Sequence, residues 1–260
     1  MAQPMIDTER ETPRRATPRR ALRWPTWLRV VVLAVVAVVT VLLVVGAVRL
    51  LDRREFSSVT LGGPVERIDL QVARGDVVLV AGTSDDVVVQ RTTSWRFRGP
   101  DLTASVDGAT ARIHATCPRV PLPLSDCSVA HRVEVPPGVR VDVRADAGSV
   151  VADGLDGWVR IITSNGRVEA TSLLTDEILV DTHGGSVTID FGRPPSRVDV
   201  VSGGGDVELT VPEAMYELRI AAGDGEVTTR VDSIDMAERT IRIDTSGGDV
   251  VVEPTGRLAR

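Results

Sequence analysis

Lysine is absent from the 260 residues, so arginine alone supplies the 30 basic side chains. Aromatic residues are scarce, with four Trp, three Phe and one Tyr, and any core must be built from Val, Ile, Leu and Ala. That favours strands, because Val is stiff at χ1 and suits a pleated surface. Beyond residue 54 the aromatics are Phe56, Trp95, Phe97, Trp158, Phe191 and Tyr216, few for the stacking platforms that sugar-active sites use. His114, His131 and His183 show no ligand spacing with the two cysteines, which argues against a metal site. No cofactor motif is present.

What the chain does have begins with an apolar run. Val30 to Val48 contains no charged residue and comes close to the roughly 20 residues an α-helix needs to cross a bilayer. We expect a transmembrane signal anchor over 30–50, with Trp24 and Trp27 at the headgroup level. A cleaved signal peptide would have a shorter apolar region and a small-x-small cleavage site. Neither is present. Arg10, Arg14, Arg15, Arg19, Arg20, Arg23 and Arg29 precede the run, whereas Arg49, Arg53 and Arg54 follow it. The positive-inside bias keeps the larger cluster in the cytoplasm and exports the rest. Residues 1–29, Pro- and Arg-rich without apolar periodicity, read as a disordered cytoplasmic tail, and residues 51–60 as a linker.

Residues 1 to 54 carry ten Arg and four acids, a balance of +6, leaving 20 Arg and 32 acids, or −12, for the remainder. So acidic a domain repels nucleic acid. Cys117 and Cys127 bracket the Pro-rich "PRVPLPLSD", and in an oxidising compartment they read as one disulfide.

The informative feature is a repeat. Ile68 and Leu70 are followed by Gly75 and Val77, and the same spacing recurs at Val141, Val143, Gly148, Val150; Val159, Ile161, Gly166, Val168; and Ile178, Val180, Gly185, Val187. It returns at Val198, Val200, Gly205, Val207; Leu218, Ile220, Gly225, Val227; and Ile241, Ile243, Gly248, Val250. Internal spacing is constant while successive glycines lie 73, 18, 19, 20, 20 and 23 residues apart, as in a structural unit with variable outer loops. Apolar and polar residues alternate within each unit, so each reads as a half-buried strand, a turn at the glycine and a second strand. The glycines Gly75, Gly148, Gly166, Gly185, Gly205, Gly225 and Gly248 are expected to supply positive φ. Successive units should stack in sequence order to share one core.

Arg74, Gly75 and Asp76 spell the tripeptide that integrins recognise. Within the repeat, however, Asp76 fills the slot of Ser149, Arg167, Ser186, Asp206, Glu226 and Asp249, so it reads as an outward-facing turn residue. A membrane anchor followed by "GDV", "GSV", "GRV" and "GEV" units resembles the bacterial putative-adhesin β-strand-repeat family, from about residue 60 to 254 and most densely from Val139 onward. The resemblance implies an envelope-exposed β-repeat domain.

The expected fold is therefore all-β, a β-solenoid or β-roll-like repeat domain over 61–254 behind one N-terminal transmembrane helix. Residues 81–138 should form its irregular end and 255–260 a loose tail. His183, Ser186 and Asp181 have the residue types of a triad but no nucleophile motif, and acids on repeat turns are usually a solvated face. The Asp slot has neither the nine-residue period nor the constancy of a calcium ladder. The expected function is non-catalytic: a membrane-anchored surface facing an envelope polymer or protein partner, with self-association open. The alternatives are envelope-stress signalling through the tail and, more remotely, a polysaccharide-active solenoid enzyme.

Overall fold

A computed structural model describes residues 26–49, 52–118 and 126–256. Most of the Arg-rich tail, the centre of the Cys-bracketed loop and the last four residues lie outside the described residues. The chain divides into two compact units, residues 1–50 and 51–260.

Among the described residues the first unit contains one helix, α1 (Thr26–Arg49), which starts four residues before the uncharged run and takes Arg29 into its first turn. At 1.5 Å per residue it is about 36 Å long, enough for a hydrocarbon core of about 30 Å. Its apolar stretch, Trp27–Ala47, is exposed almost all round. A helix apolar on every face is suited to lipid or to a deep core. Thr40, the hydroxyl in the stretch, donates to the Val36 carbonyl at 2.7 Å, as an apolar solvent requires.

Among the described residues the regular structure of the second unit is all strand. Its irregular part contains β1 (Arg53–Leu61), β4 (Val87–Trp95), β5 (Asp101–Asp107), β6 (Thr110–Thr116) and β7 (Cys127–Val135), with the first repeat, β2 (Arg67–Val72) and β3 (Val77–Ala81), set among them. The other repeats follow as β8 (Arg140–Ala145) and β9 (Val150–Asp153); β10 (Val159–Thr163) and β11 (Val168–Leu173); β12 (Glu177–Thr182) and β13 (Val187–Phe191); β14 (Arg197–Ser202) and β15 (Val207–Val211); β16 (Tyr216–Ala221) and β17 (Val227–Thr229); and β18 (Arg239–Thr245) and β19 (Val250–Pro254).

First strands form a nine-stranded sheet I, in the order β16-β18-β14-β12-β10-β8-β2-β6-β5. Second strands form a ten-stranded sheet II, β1-β4-β7-β3-β9-β11-β13-β15-β19-β17. Each repeat thus contributes one strand to each sheet, and neighbouring repeats pair in parallel, the topology of a two-sheet solenoid. The sequence register is kept throughout: Ile68 lies opposite Val141, Val141 opposite Val159, Val159 opposite Ile178 and Ile178 opposite Val198. These residues and their counterparts in sheet II are buried between the sheets with Phe191 and Tyr216. Burying a Val or Leu side chain contributes about 1.5 to 3 kcal/mol, and stacking completes that burial for units that expose one apolar face each.

Three expectations are corrected. Residues 53–61 are not a linker but strand β1, antiparallel to β4 and pairing Val59 with Val89 and Leu61 with Val87. Residues 81–138 hide a further coil, β6 and β7, which pair in parallel with β2 and β3 and set Ile113 opposite Leu70 and Val133 opposite Leu79. Its turn is replaced by the Cys-bracketed segment, which destroyed the sequence spacing. The stacking order also departs from the chain order, because the seventh repeat lies between the fifth and the sixth. Ile241 faces Val198 on one side and Leu218 on the other. Repeats of identical spacing are interchangeable as neighbours, so spacing does not encode their order.

The two ends differ. At one, the edge strands β1 and β5 approach one another. At the other, β17 has three exposed residues, and the β16 edge is met by the following segment, with the Ile234 N–H donating to the Tyr216 carbonyl and Leu218 N–H to Ser233 Oγ. A short or covered edge limits pairing with other chains.

Candidate functional site

The seven repeat glycines form a column along the turn ridge, and their requirement differs from the expected one. Positive φ occurs only at Gly75 and Gly148. At all seven, a Cβ would collide with the backbone carbonyl of the neighbouring coil: Gly225 with Gly248, Gly248 with Gly205, Gly205 with Gly185, Gly185 with Gly166, Gly166 with Gly148, Gly148 with Gly75, and Gly75 with Val129. The glycine is therefore dictated by close approach of backbones. Val129 holds the corresponding place in the hidden coil, at the end of the column.

A hydroxyl three residues before the glycine decides how the turn closes. The Gly166 N–H donates to Thr163 Oγ1 at 3.2 Å, Gly185 N–H to Thr182 Oγ1 at 3.1 Å, Gly205 N–H to Ser202 Oγ at 3.0 Å and Gly248 N–H to Thr245 Oγ1 at 3.2 Å. All four hydroxyl residues are buried, and each satisfies an amide that would otherwise be costly. The three repeats with Val72, Ala145 or Ala222 in that slot lack this bond. Two of them have the positive-φ glycines, and in the third the Gly225 N–H donates to the Ala222 carbonyl at 2.9 Å.

The aspartates in the slot after the glycine are exposed but engaged. Asp76 Oδ1 accepts the Ser149 N–H at 2.9 Å, Asp206 Oδ1 the Asp249 N–H at 3.0 Å, and Asp249 Oδ1 the Glu226 N–H at 2.9 Å. These aspartates tie adjacent coils. Asp76 is thus held by the ridge in the tripeptide with Arg74, a role the outward-facing reading did not include.

Elsewhere, charges cross-link coils on the outside of sheet I. Buried Asp142 lies 3.7 Å from Arg67 of the preceding repeat, 3.2 Å from Arg144 and 3.9 Å from Arg160 of the next. Arg140 stacks over Trp158 at 4.8 Å, covering one face of an aromatic that a ligand could use. Acids nearby are also committed: Asp156 accepts the Gly138 N–H at 2.8 Å and Asp176 pairs with Arg193 at 3.3 Å. The His183, Ser186 and Asp181 side chains are not hydrogen-bonded to one another; His183 contributes its backbone N–H to the Thr163 carbonyl. Among the described residues no group of three His, Cys, Asp or Glu is placed to hold a metal ion.

Cys117 and Cys127 are joined, with Cα atoms 5.8 Å apart. A cleft of about 650 Å³ beside them is lined by Arg74, Arg96, Arg98, Asp126 and Asp146. Arg96 Nε donates to Asp52 at 2.6 Å, so the cleft mixes charges rather than concentrating one sign. Deeper in the same end, His131 and Arg91 are direct cross-strand partners, both buried. Burial, and then the Arg91 guanidinium, pushes His131 down to about 4. Its Nδ1 lies 3.2 Å from the Val129 carbonyl, and Arg91 reaches the Thr103 carbonyl of sheet I at 3.4 Å. This pair joins the two sheets.

Comparison with known proteins gives no match to any family model and none to the curated proteins. Solved structures similar to the chain include a putative cell adhesion protein from Clostridium sporogenes, at 9% identity and TM-score 0.42, covering 78% of this chain and 100% of that one. Others are a putative adhesin from Bacteroides fragilis, at 12% identity and TM-score 0.44, covering 78% and 97%, and one from Parabacteroides distasonis, at 13% identity and TM-score 0.37, covering 78% and 97%.

Proposed function

We propose that the chain is a single-pass membrane protein whose α1 helix anchors a non-catalytic β-repeat unit outside the membrane, where it serves a structural or interaction role in the bacterial cell envelope. The observation that carries this reading is the pairing of a 24-residue helix, apolar on every face, with a separately packed strand unit. Arginine asymmetry around the helix supports an N-terminus in the cytoplasm. The Cys117–Cys127 bond supports an oxidising compartment for the strand unit.

The polar groups of the turn ridge support display over catalysis. Their hydroxyls close the turns and their carboxylates hold coil to coil, and a scaffold of that kind presents its outer faces as a rigid surface to a polymer or protein. Isolation of the full chain from membranes, with and without residues 1–23, tests the reading. An unchanged set of extracytoplasmic partners is expected. Loss of a cytoplasmic partner on truncation would transfer the function to signalling through the tail.

A further inference from the structure

The loop between β4 and β5 reads Arg96, Phe97, Arg98, Gly99, Pro100, and its tip is unusual. Phe97 has φ +75° and is 51% exposed. A bulky residue rarely adopts that backbone region, and such an outlier persists only where the surroundings enforce it. Here the turn is fixed by the Arg96 N–H donating to the Asp126 carbonyl, the Arg98 N–H donating to the Arg96 carbonyl, and Arg96 bonded to Asp52. The result holds an aromatic ring out into solvent.

The same corner collects most of the accessible aromatic surface. In the strand unit, Phe191 and Tyr216 are buried and Trp158 lies beneath Arg140, whereas Phe56 is 67% exposed and Trp95 half-buried. Arg53 pairs with Trp95 across β1 and β4, and Arg54 with Ser94. Arg53, Arg54 and Arg98 are exposed; Glu55, Asp101 and Asp126 are the acids beside them, and Asp52 is taken by Arg96. In a unit that carries 22 Arg and 33 acids, or −11, this corner sets four arginines, Arg53, Arg54, Arg96 and Arg98, against four acids and is not part of the negative surface.

Covalent geometry supplies the occupant. Only residues 50–52 separate Arg49, the last helical residue, from Arg53, and a chain that short reaches at most about 15 Å. Resting on the reading that α1 spans a membrane, we propose that this corner docks on the outer leaflet, with Phe97 and Phe56 at the headgroup level and Arg53, Arg54 and Arg98 on lipid phosphates. Aromatic and basic residues at one edge are what an interfacial contact uses.

The test uses the full chain in nanodiscs of phosphatidylcholine with and without phosphatidylglycerol. Both native cysteines are in the disulfide, so a single added thiol can carry a fluorophore at Asp101→Cys, at Met236→Cys by the far end of sheet I, or at Val39→Cys in the helix. A nitroxide on the lipid headgroup should quench the label at 101 several-fold more than that at 236, most strongly with the anionic lipid. Adding Phe97→Asn, which suits positive φ, and Arg98→Gln should bring the label at 101 most of the way to the level at 236. Equal quenching at 101 and 236, or quenching at 101 indifferent to the double substitution, overturns the docking while an acyl-chain nitroxide still quenches the label at 39. An unquenched label at 39 overturns the anchor, and the docking with it.

Discussion

Gly204 and Gly205 are adjacent on the turn ridge, and the structure assigns them opposite sensitivities. A Cβ at Gly204 meets nothing within 4 Å, whereas one at Gly205 would sit inside the Gly185 carbonyl and against the Ser186 amide. Neither has positive φ. Gly205→Ala must therefore push two coils apart or tilt the ridge, since the obstructing atoms are backbone. Overpacking of this kind costs about 1 to 3 kcal/mol. The displacement also strains the adjacent bonds, Val187 N–H to the Asp206 carbonyl at 2.8 Å and Gly205 N–H to Ser202 Oγ at 3.0 Å, at about 1 kcal/mol each. A total loss of about 3 to 5 kcal/mol is expected, which for a unit of this size lowers the melting temperature by roughly 10 °C. Gly204→Ala should be neutral or stabilising by up to about 1 kcal/mol, through the unfolded chain. Thermal unfolding of both variants of the full chain in detergent, followed by far-ultraviolet circular dichroism, compares them directly. Equal midpoints would refute the account of the ridge as a close-packed glycine column.

Thr182→Val leaves the Gly185 N–H buried without a partner and should cost about 1 to 3 kcal/mol by denaturant titration, while Thr182→Ser should be near neutral. Asp206→Ala removes the acceptor of the Asp249 N–H and should lower the unfolding midpoint measurably, though less than Gly205→Ala; no change would return Asp206 to a purely solvated role. His131 gives a pH dependence of definite sign. Its folded value of about 4 lies below the 6.5 of the unfolded chain, so its contribution is complete above pH 6.5 and is lost as pH falls towards 4. The loss amounts to about 3 kcal/mol. The difference in stability between the native chain and His131→Gln, measured at pH 7 and pH 4.5, should shrink or reverse at the lower pH. Replacing Cys117 and Cys127 by Ala should cost about 2 to 3 kcal/mol in the chain-entropy account, with the strand signature retained.

The strands were legible because alternation and the constant step to Gly and Val describe a local unit. Ile68, Leu70, Gly75 and Val77 carry the same message as Ile241, Ile243, Gly248 and Val250. The order of the units was not legible, since Ile241 can pair equally well with Val198 or Leu218 and does both. The coil of Ile113 and Val133 was hidden because its turn is the disulfide segment. A readable signal was passed over: Thr163, Thr182, Ser202 and Thr245 all stand three residues before a glycine, and Val72, Ala145 and Ala222 mark the repeats that close differently. The Asp slot looked interchangeable because Ser and Arg also fill it. Only the neighbouring coil's amide reveals what Asp76, Asp206 and Asp249 do. Nothing local marks His131 and Arg91 as a pair, because their meeting depends on β4 lying antiparallel to β7.

The central claim is that one span displays the strand unit outside the membrane. Met236 is 92% exposed, and a Met236→Cys chain offers a single free thiol beside the disulfide. Treating intact cells that express this chain with a membrane-impermeant maleimide should label residue 236, while a Met5→Cys chain should be labelled only after permeabilisation. Labelling of residue 5 in intact cells, with residue 236 protected until lysis, would contradict the account.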